Sequence, residues 1–355
     1  MSSEIVSPAA GTGRQPDGGP SAAVRFPLWR SAARWEYGLV LVLIGALLFG
    51  NAESATFGTR TTLFFAGINT GYIAIMALPM TLIVVTAEID LSVASTLGLS
   101  GALLGDLWHH GWAIWPALIV ALAAGGAGGA LNGFLVAKAG LPSIAVTIGT
   151  LTLFRGVAEI LLGSQTIPGT GDRMFPEWLT KAGVTPVPGT ELSYTTVIFI
   201  VLAIACGVVL HATPLGRKMY AIGLQPDAAR FAGIRVGRMK FWLFVFSGLV
   251  CALAGILLTA QNSSVSYDAG YGLELNVVAI AVFGGVSIFG GKGSVPGVVL
   301  SAAIVAVLQM ALTQMNVDPN VQEIVIGALL LISVVVPSAA KLMRWPAVRS
   351  RLSRG

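Results

Sequence analysis

The sequence predicts an all-α integral membrane protein of about ten transmembrane helices, some of them short or broken. Three observations predict it. Apolar residues make up 55% of the chain, and about two-thirds once its 44 glycines are added, against roughly 45–50% in soluble domains. Only 10% of the residues are charged, too few to coat a soluble fold of 355 residues. The basic residues are also segregated: fifteen of the 21 Lys and Arg fall in three blocks beside apolar segments, within residues 1–36, in a loop at 213–240 and after Pro337. Despite the net charge of +5, that segregation is an inner-face bias rather than a nucleic-acid footprint.

Residues 1–36 are rich in Gly, Pro, Ser and Ala and are predicted to form a disordered cytoplasmic tail. A cleaved signal peptide would begin its apolar region nearer the start and follow it with a small-residue cleavage site, so the first apolar stretch reads as a retained span. Ten stretches can be marked: 37–57, 62–87, 91–107, 112–137, 141–163, 194–212, 241–260, 275–289, 295–315 and 321–336. A helix needs about 20 residues to cross hydrocarbon, so the third, eighth and tenth read as broken or half-length helices, which line cavities in transporters. Ten crossings from a cytoplasmic N-terminus make 37–337 the membrane domain, with the 213–240 loop and a basic tail at 338–355 inside. The acidic and mixed connections, including 165–193 and 261–272, then fall outside, and Lys138 and Lys292 fall at inner turns. No strong tandem repeat is visible.

The basic loop carries Arg217, Lys218, Arg230, Arg235, Arg238 and Lys240 against one acid, Asp227. Its centre, Gln225 to Gly233, reads as one short helix. Pro226 suits the first helical position, where its missing N–H would have had no partner, and Gly233 can take the left-handed conformation that ends a helix. A stiff helix on the cytoplasmic face suits the docking of a soluble partner.

Several constellations could carry chemistry. At Thr86-Ala-Glu88-Ile-Asp90-Leu-Ser92-Val-Ala-Ser95, two carboxylates and two hydroxyls sit at a break between apolar segments. They read either as an inner-surface turn with Asp90 capping the next helix or as a polar break lining a path. The glycine-rich run 284–294 fails the Walker pattern: Lys292 would need Gly at 286 and Ser or Thr at 293, where the chain has Val286 and Gly293. ATP hydrolysis therefore has no place on this chain, and the run reads as close packing and a tight turn. Gly125, Gly129 and Gly133, spaced by four, let a second helix approach closely, within one subunit before a dimer contact.

Polar residues inside apolar segments form a looser set: Asn69, Asn132, Thr147, Thr150, Arg155, Glu159, Asn276 and Gln309. Amides and hydroxyls donate and accept hydrogen bonds without net charge, which suits a neutral polyhydroxylated solute, although each is singly interpretable as glue between helices. Arg155 reads as a helix-end side chain or a partner of Glu159, four residues on. Cys206 and Cys251 lie inside apolar segments and read as small core residues. His109, His110 and His211 accompany no metal-ligand spacing or nucleophile motif, so no metal, cofactor or intramembrane hydrolase activity is predicted.

Several segments together resemble the permease subunits of bacterial ABC importers for monosaccharides of the ribose, xylose and rhamnose type, with autoinducer-2 importers as close relatives. They are the run from Leu78 to Ser95, the run from Leu141 to Leu151, Gly216 to Gly223 with Ala228 to Ile234, and Tyr271 to Asn276 with Phe283 to Gly293. The resemblance implies a non-enzymatic permease in the bacterial inner membrane that works as a homo- or heterodimer. It further implies cytoplasmic ATPase subunits and an extracytoplasmic solute-binding protein as partners. It also assigns the contact with the ATPase to Gly223, Asp227, Ala228, Ala229, Arg230 and Gly233. The chain departs from the family in having Ala87-Glu88 where Gly-Gly usually precedes Ile-Asp, and Gly223-Leu224-Gln225 where Gly-Gly-Asn is frequent. The predicted pathway residues are Asn69, Glu88, Asp90, Ser92, Ser95, Asn132, Thr147, Thr150, Asn276 and Gln309. Two alternatives stay open here: a related permease for nucleosides or branched-chain amino acids, and an autonomous ion-coupled secondary transporter.

Overall fold

A computed structural model describes residues 28–53, 57–169, 171–329 and 331, and among these every regular element is a helix. In chain order they are α1 (Leu28–Glu53), α2 (Arg60–Val85), α3 (Val93–His109), α4 (Ile114–Ala137), α5 (Ser143–Leu162), α6 (Glu177–Val184), α7 (Tyr194–Gly207), α8 (Pro214–Leu224), α9 (Pro226–Phe231), α10 (Val236–Asn262), α11 (Leu273–Phe283) and α12 (Val295–Gln314). A π-helical turn (Val208–Ala212) continues α7, and residues 319–329 form α13. Local chemistry starts several of them. Ser193, Ser294 and Thr213 each accept a backbone N–H of the following turn, and Thr213 is followed by Pro214 at the first helical position.

Among the described residues, seven helices are long and apolar enough to cross a membrane: α1, α2, α4, α5, α7 with its π turn, α10 and α12. Helix α3 has 17 residues and α11 only 11, about 16 Å, half the hydrocarbon thickness. Each of the ten predicted stretches thus falls on a helix, with shifted ends. Helix α1 begins at Leu28 rather than at residue 37, and α11 stops at Phe283 because Gly284 and Gly285, the latter with φ +89°, turn the chain. The predicted tail residues 1–27, the end of the tenth stretch and the segment 338–355 lie outside the described residues.

Helix α2 is the axis. From Gly71 to Val85 only Tyr72 escapes full burial, because α7, α10, α11 and α12 all pack around it. Such a helix is apolar on every side, as a buried span must be. Lipid is as apolar as leucine, so close approach of backbones rather than water exclusion drives this packing. The row Gly125, Gly129, Gly133 on α4 supplies it against α10 of the same chain. A Cβ at Gly129 would overlap the Phe244 carbonyl, and one at Gly133 would lie 2.9 Å from the Phe241 carbonyl oxygen.

The connections gather at two ends. One holds residues 86–92, the segment 138–142, α8, α9 and the glycine-rich run, tied by contacts such as Gly291 N to Val85 O at 2.9 Å. The other holds α6 and the segments 163–193 and 263–272, tied by the bridge Ile167 to Val265 and the ion pair Arg60 to Glu191.

Candidate functional site

Two cavities open in the half of the bundle away from the basic loop, and Tyr72 of α2 borders both. The more polar, about 250 Å³, is lined by Asn69, Thr70, Gln261, Gln309, Thr313 and Gln322 with a few apolar neighbours, and by no charged side chain among the described residues. Thr70 donates to Gln309 Oε1 at 3.0 Å, Gln261 Nε2 to Asn69 Oδ1 at 3.4 Å, and Gln322 Nε2 to the Val317 carbonyl at 3.0 Å. Four amides and two hydroxyls from α2, α10, α12 and α13 therefore converge, with several donor and acceptor sites still open to a ligand. Asn69 and Gln309 are the two predicted pathway residues that this cavity unites. Thr70 and Gln261 were not predicted; a second polar residue beside Asn69 on an otherwise apolar helix was the available signal. The second cavity, about 330 Å³, lies between α2, α3, α10 and the 263–272 segment, with Thr259, Asn262, Ser264, Ser266 and Asp268 among its lining.

A second polar group lies at the basic end. Asp90 is 2% exposed and accepts three hydrogen bonds: the Ser92 backbone N–H at 3.0 Å, the Ser92 hydroxyl at 2.6 Å and the Ser247 hydroxyl at 3.0 Å. It thereby seats the entry of α3 on α10. Asn132 of α4 donates to Ser92 Oγ at 2.8 Å, and Ser95 donates to the Ser92 carbonyl at 2.9 Å. Thr147 bonds the Ser143 carbonyl and reaches Ile89, and Thr150 bonds the Val146 carbonyl. All six predicted residues are buried and apart from the amide cavity; Asp90, Ser92, Ser95 and Asn132 are joined by hydrogen bonds, Thr147 reaches the adjoining Ile89 carbonyl, and Thr150 bonds within α5. Glu88 pairs with Lys240 of α10, both mostly buried. Asn276, half-buried on α11, borders neither cavity. Arg155 pairs not with Glu159 but with Glu274, at 3.6 Å, and lies over the Tyr271 ring, because Glu159 faces outward from α5.

The basic loop folds into two helices. Helix α9 spans the predicted Pro226 start, and Gly233 takes φ +80° after it. Ala229 is buried, while Asp227, Ala228, Arg230 and Gly233 face out, with Arg230 bound to Asp227 at 3.0 Å. Gly223 ends α8 against α2, where a Cβ would overlap the Val85 carbonyl. The unpredicted α8 carries Tyr220, whose hydroxyl donates to the Gly293 carbonyl at 2.7 Å and is pushed by burial up to about 12, so it keeps its proton at neutral pH.

A bundle with a charge-free amide cavity, a short half-helix and a two-helix basic loop has the build of the membrane component of a solute transporter. Residues 62–334 match the family described as branched-chain amino acid transport system / permease component, and the chain belongs to that family. It is 30% identical to the autoinducer 2 import system permease protein LsrD of Klebsiella pneumoniae over 88% of this chain and 93% of that one. It is 31% identical to the fructose import permease protein FrcC of Rhizobium meliloti over 84% and 83%. It is 35% identical to the ribose import permease protein RbsC of Escherichia coli K12 over 84% and 90%. No solved structure matches the chain significantly. The protein is a multi-pass inner-membrane permease of the ABC sugar-importer type.

Proposed function

We propose that this permease carries a monosaccharide or a similarly small, neutral, hydroxyl-rich solute through a path that includes Asn69, Thr70, Gln261 and Gln309. The uncharged character of the described residues lining that cavity carries the proposal. A zwitterionic amino acid would need counter-charges for its ammonium and carboxylate, so the branched-chain amino acids in the family's description fit this lining less well than a sugar. The names of the relatives, which refer to ribose, fructose and autoinducer 2, support the same class.

In this reading the seat around Asp90, Ser92, Ser95, Asn132, Thr147 and Thr150 holds the inner end of the path in register, with Glu88 neutralised by Lys240. Asn276 belongs to the flank of α11. The chain works with a second permease subunit, an extracytoplasmic solute-binding protein and cytoplasmic ABC ATPase subunits that hydrolyse the ATP. The basic loop and both termini lie on the cytoplasmic side, and α9 docks the ATPase through Arg230 and its neighbours. ATP binding and release act by favouring one arrangement of the loop over another.

Proteoliposome uptake of radiolabelled monosaccharides, with binding protein and ATPase supplied, tests the reading. Gln309→Leu should lower uptake at least about tenfold, since a buried solute hydroxyl would lose its partner. Arg230→Glu should abolish uptake while membrane insertion is unchanged. Normal uptake by the Gln309 variant would remove the amide cavity from the path; normal uptake by the Arg230 variant would remove α9 from the docking site.

A further inference from the structure

The glycine-rich run between α11 and α12 lacks the Walker spacing, yet hydrogen bonds tie it to several helices at the basic end. Trp35 Nε1 donates to the Phe283 carbonyl at 3.0 Å and the Tyr220 hydroxyl to the Gly293 carbonyl at 2.7 Å, while the Ser294 hydroxyl bonds Glu36. Ser287 N donates to the Lys292 carbonyl at 3.0 Å, closing the turn, and Gly291 N donates to the Val85 carbonyl at 2.9 Å. Gly291 also lies against the end of α8, where a Cβ on it would sit 2.7 Å from Leu224 Cγ. Three helices thus fix a turn whose tip is apolar and bare: Phe289 is 91% exposed and Ile288 40%.

A rigid, exposed aromatic is the raw material of an interface anchor, because it gains contact area without losing much freedom. The turn sits on the end of α2, the buried axis of the bundle, and Lys292 beside the tip is exposed. The same end carries exposed Leu224 (62%) and Phe231 (93%) and the exposed cations Arg217, Lys218, Arg230 and Lys292. Apolar tips among cations match a soluble protein groove with an acidic rim.

We infer that the Ile288-Phe289 tip is a second anchor for the same ABC ATPase subunit that α9 engages; this rests on the docking role proposed for α9. A partner holding both anchors grips α8 and the turn together. Through the Gly291 to Val85 bond it acts on α2, whose other half carries Asn69, Thr70 and Tyr72 at the cavity. The link from ATPase to solute is then one helix long.

Titration of the importer's own ABC ATPase subunit, purified separately, onto the full-length permease in nanodiscs tests this. Phe289→Asp should weaken binding at least about tenfold and Phe289→Leu by no more than about twofold, with Phe231→Asp also weakened. If Phe289→Asp binds normally while Phe231→Asp does not, the second anchor is wrong and the docking role of α9 stands. If Phe289→Asp alone is weakened, the tip is an anchor and α9 is not. If neither is weakened, both ideas fall. A Phe289→Cys variant gives a second measurement, since native Cys206 and Cys251 are buried. A charged maleimide should modify residue 289 in the free permease and be blocked by the ATPase; protection in the nanodisc without ATPase would place the tip in lipid and overturn the inference.

Discussion

At the scale of single residues, Ala87 and Asp90 show how a short break between helices is held. Ala87 adopts φ +64°, a left-handed conformation that costs a Cβ-bearing residue about 1 kcal/mol relative to glycine. Ala87→Gly should therefore raise the melting temperature in detergent, corresponding to about 1 kcal/mol of stabilisation. Asp90 accepts from both Ser92 and Ser247 in a buried site. Asp90→Ala should therefore cost about 2–3 kcal/mol by leaving two hydroxyls without their acceptor, whereas Asp90→Asn, which keeps one acceptor oxygen, should cost less. A melting temperature for Asp90→Ala equal to that of the unaltered protein would show that the carboxylate is not what holds α3 on α10.

At the scale of elements, the sequence spoke clearly where composition alone decides and was silent where distant segments must meet. The spans were legible because an apolar stretch in lipid has one way to satisfy its backbone. Helix α8 was missed because an eleven-residue amphipathic helix has no such mark, although Thr213-Pro214 is an N-terminal signature. Asn69 and Gln309 could be named singly, but that Thr70 and Gln309 bond across 239 residues depends on how α2 and α12 align. The glycine row on α4 was legible in spacing, and α10 proved to be its partner. Gly129→Ala should consequently lower the melting temperature or prevent accumulation of the folded chain. Gly45→Ala on the exposed face of α1, where a Cβ meets nothing within 4 Å, should be neutral or gain up to about 1 kcal/mol of helix propensity. A melting curve of each variant in the same detergent checks the contrast.

At the scale of the whole molecule, the two ends differ in the physics they use. The proposed orientation predicts that an impermeant maleimide added outside spheroplasts labels Thr190→Cys and spares Lys218→Cys; the reverse pattern would invert the bundle in the membrane. The amide cavity presents neutral dipoles, while the basic loop presents Arg217, Lys218, Arg230 and Lys292 to water. Mobile ions discriminate between the two, because they shorten the reach of exposed charges from about 10 Å at 0.1 M to about 3 Å at 1 M and leave neutral hydrogen-bonding groups nearly untouched. Raising ionic strength should then loosen the ATPase from the loop while solute affinity holds steady. The importer would lose its motor before it lost its cargo.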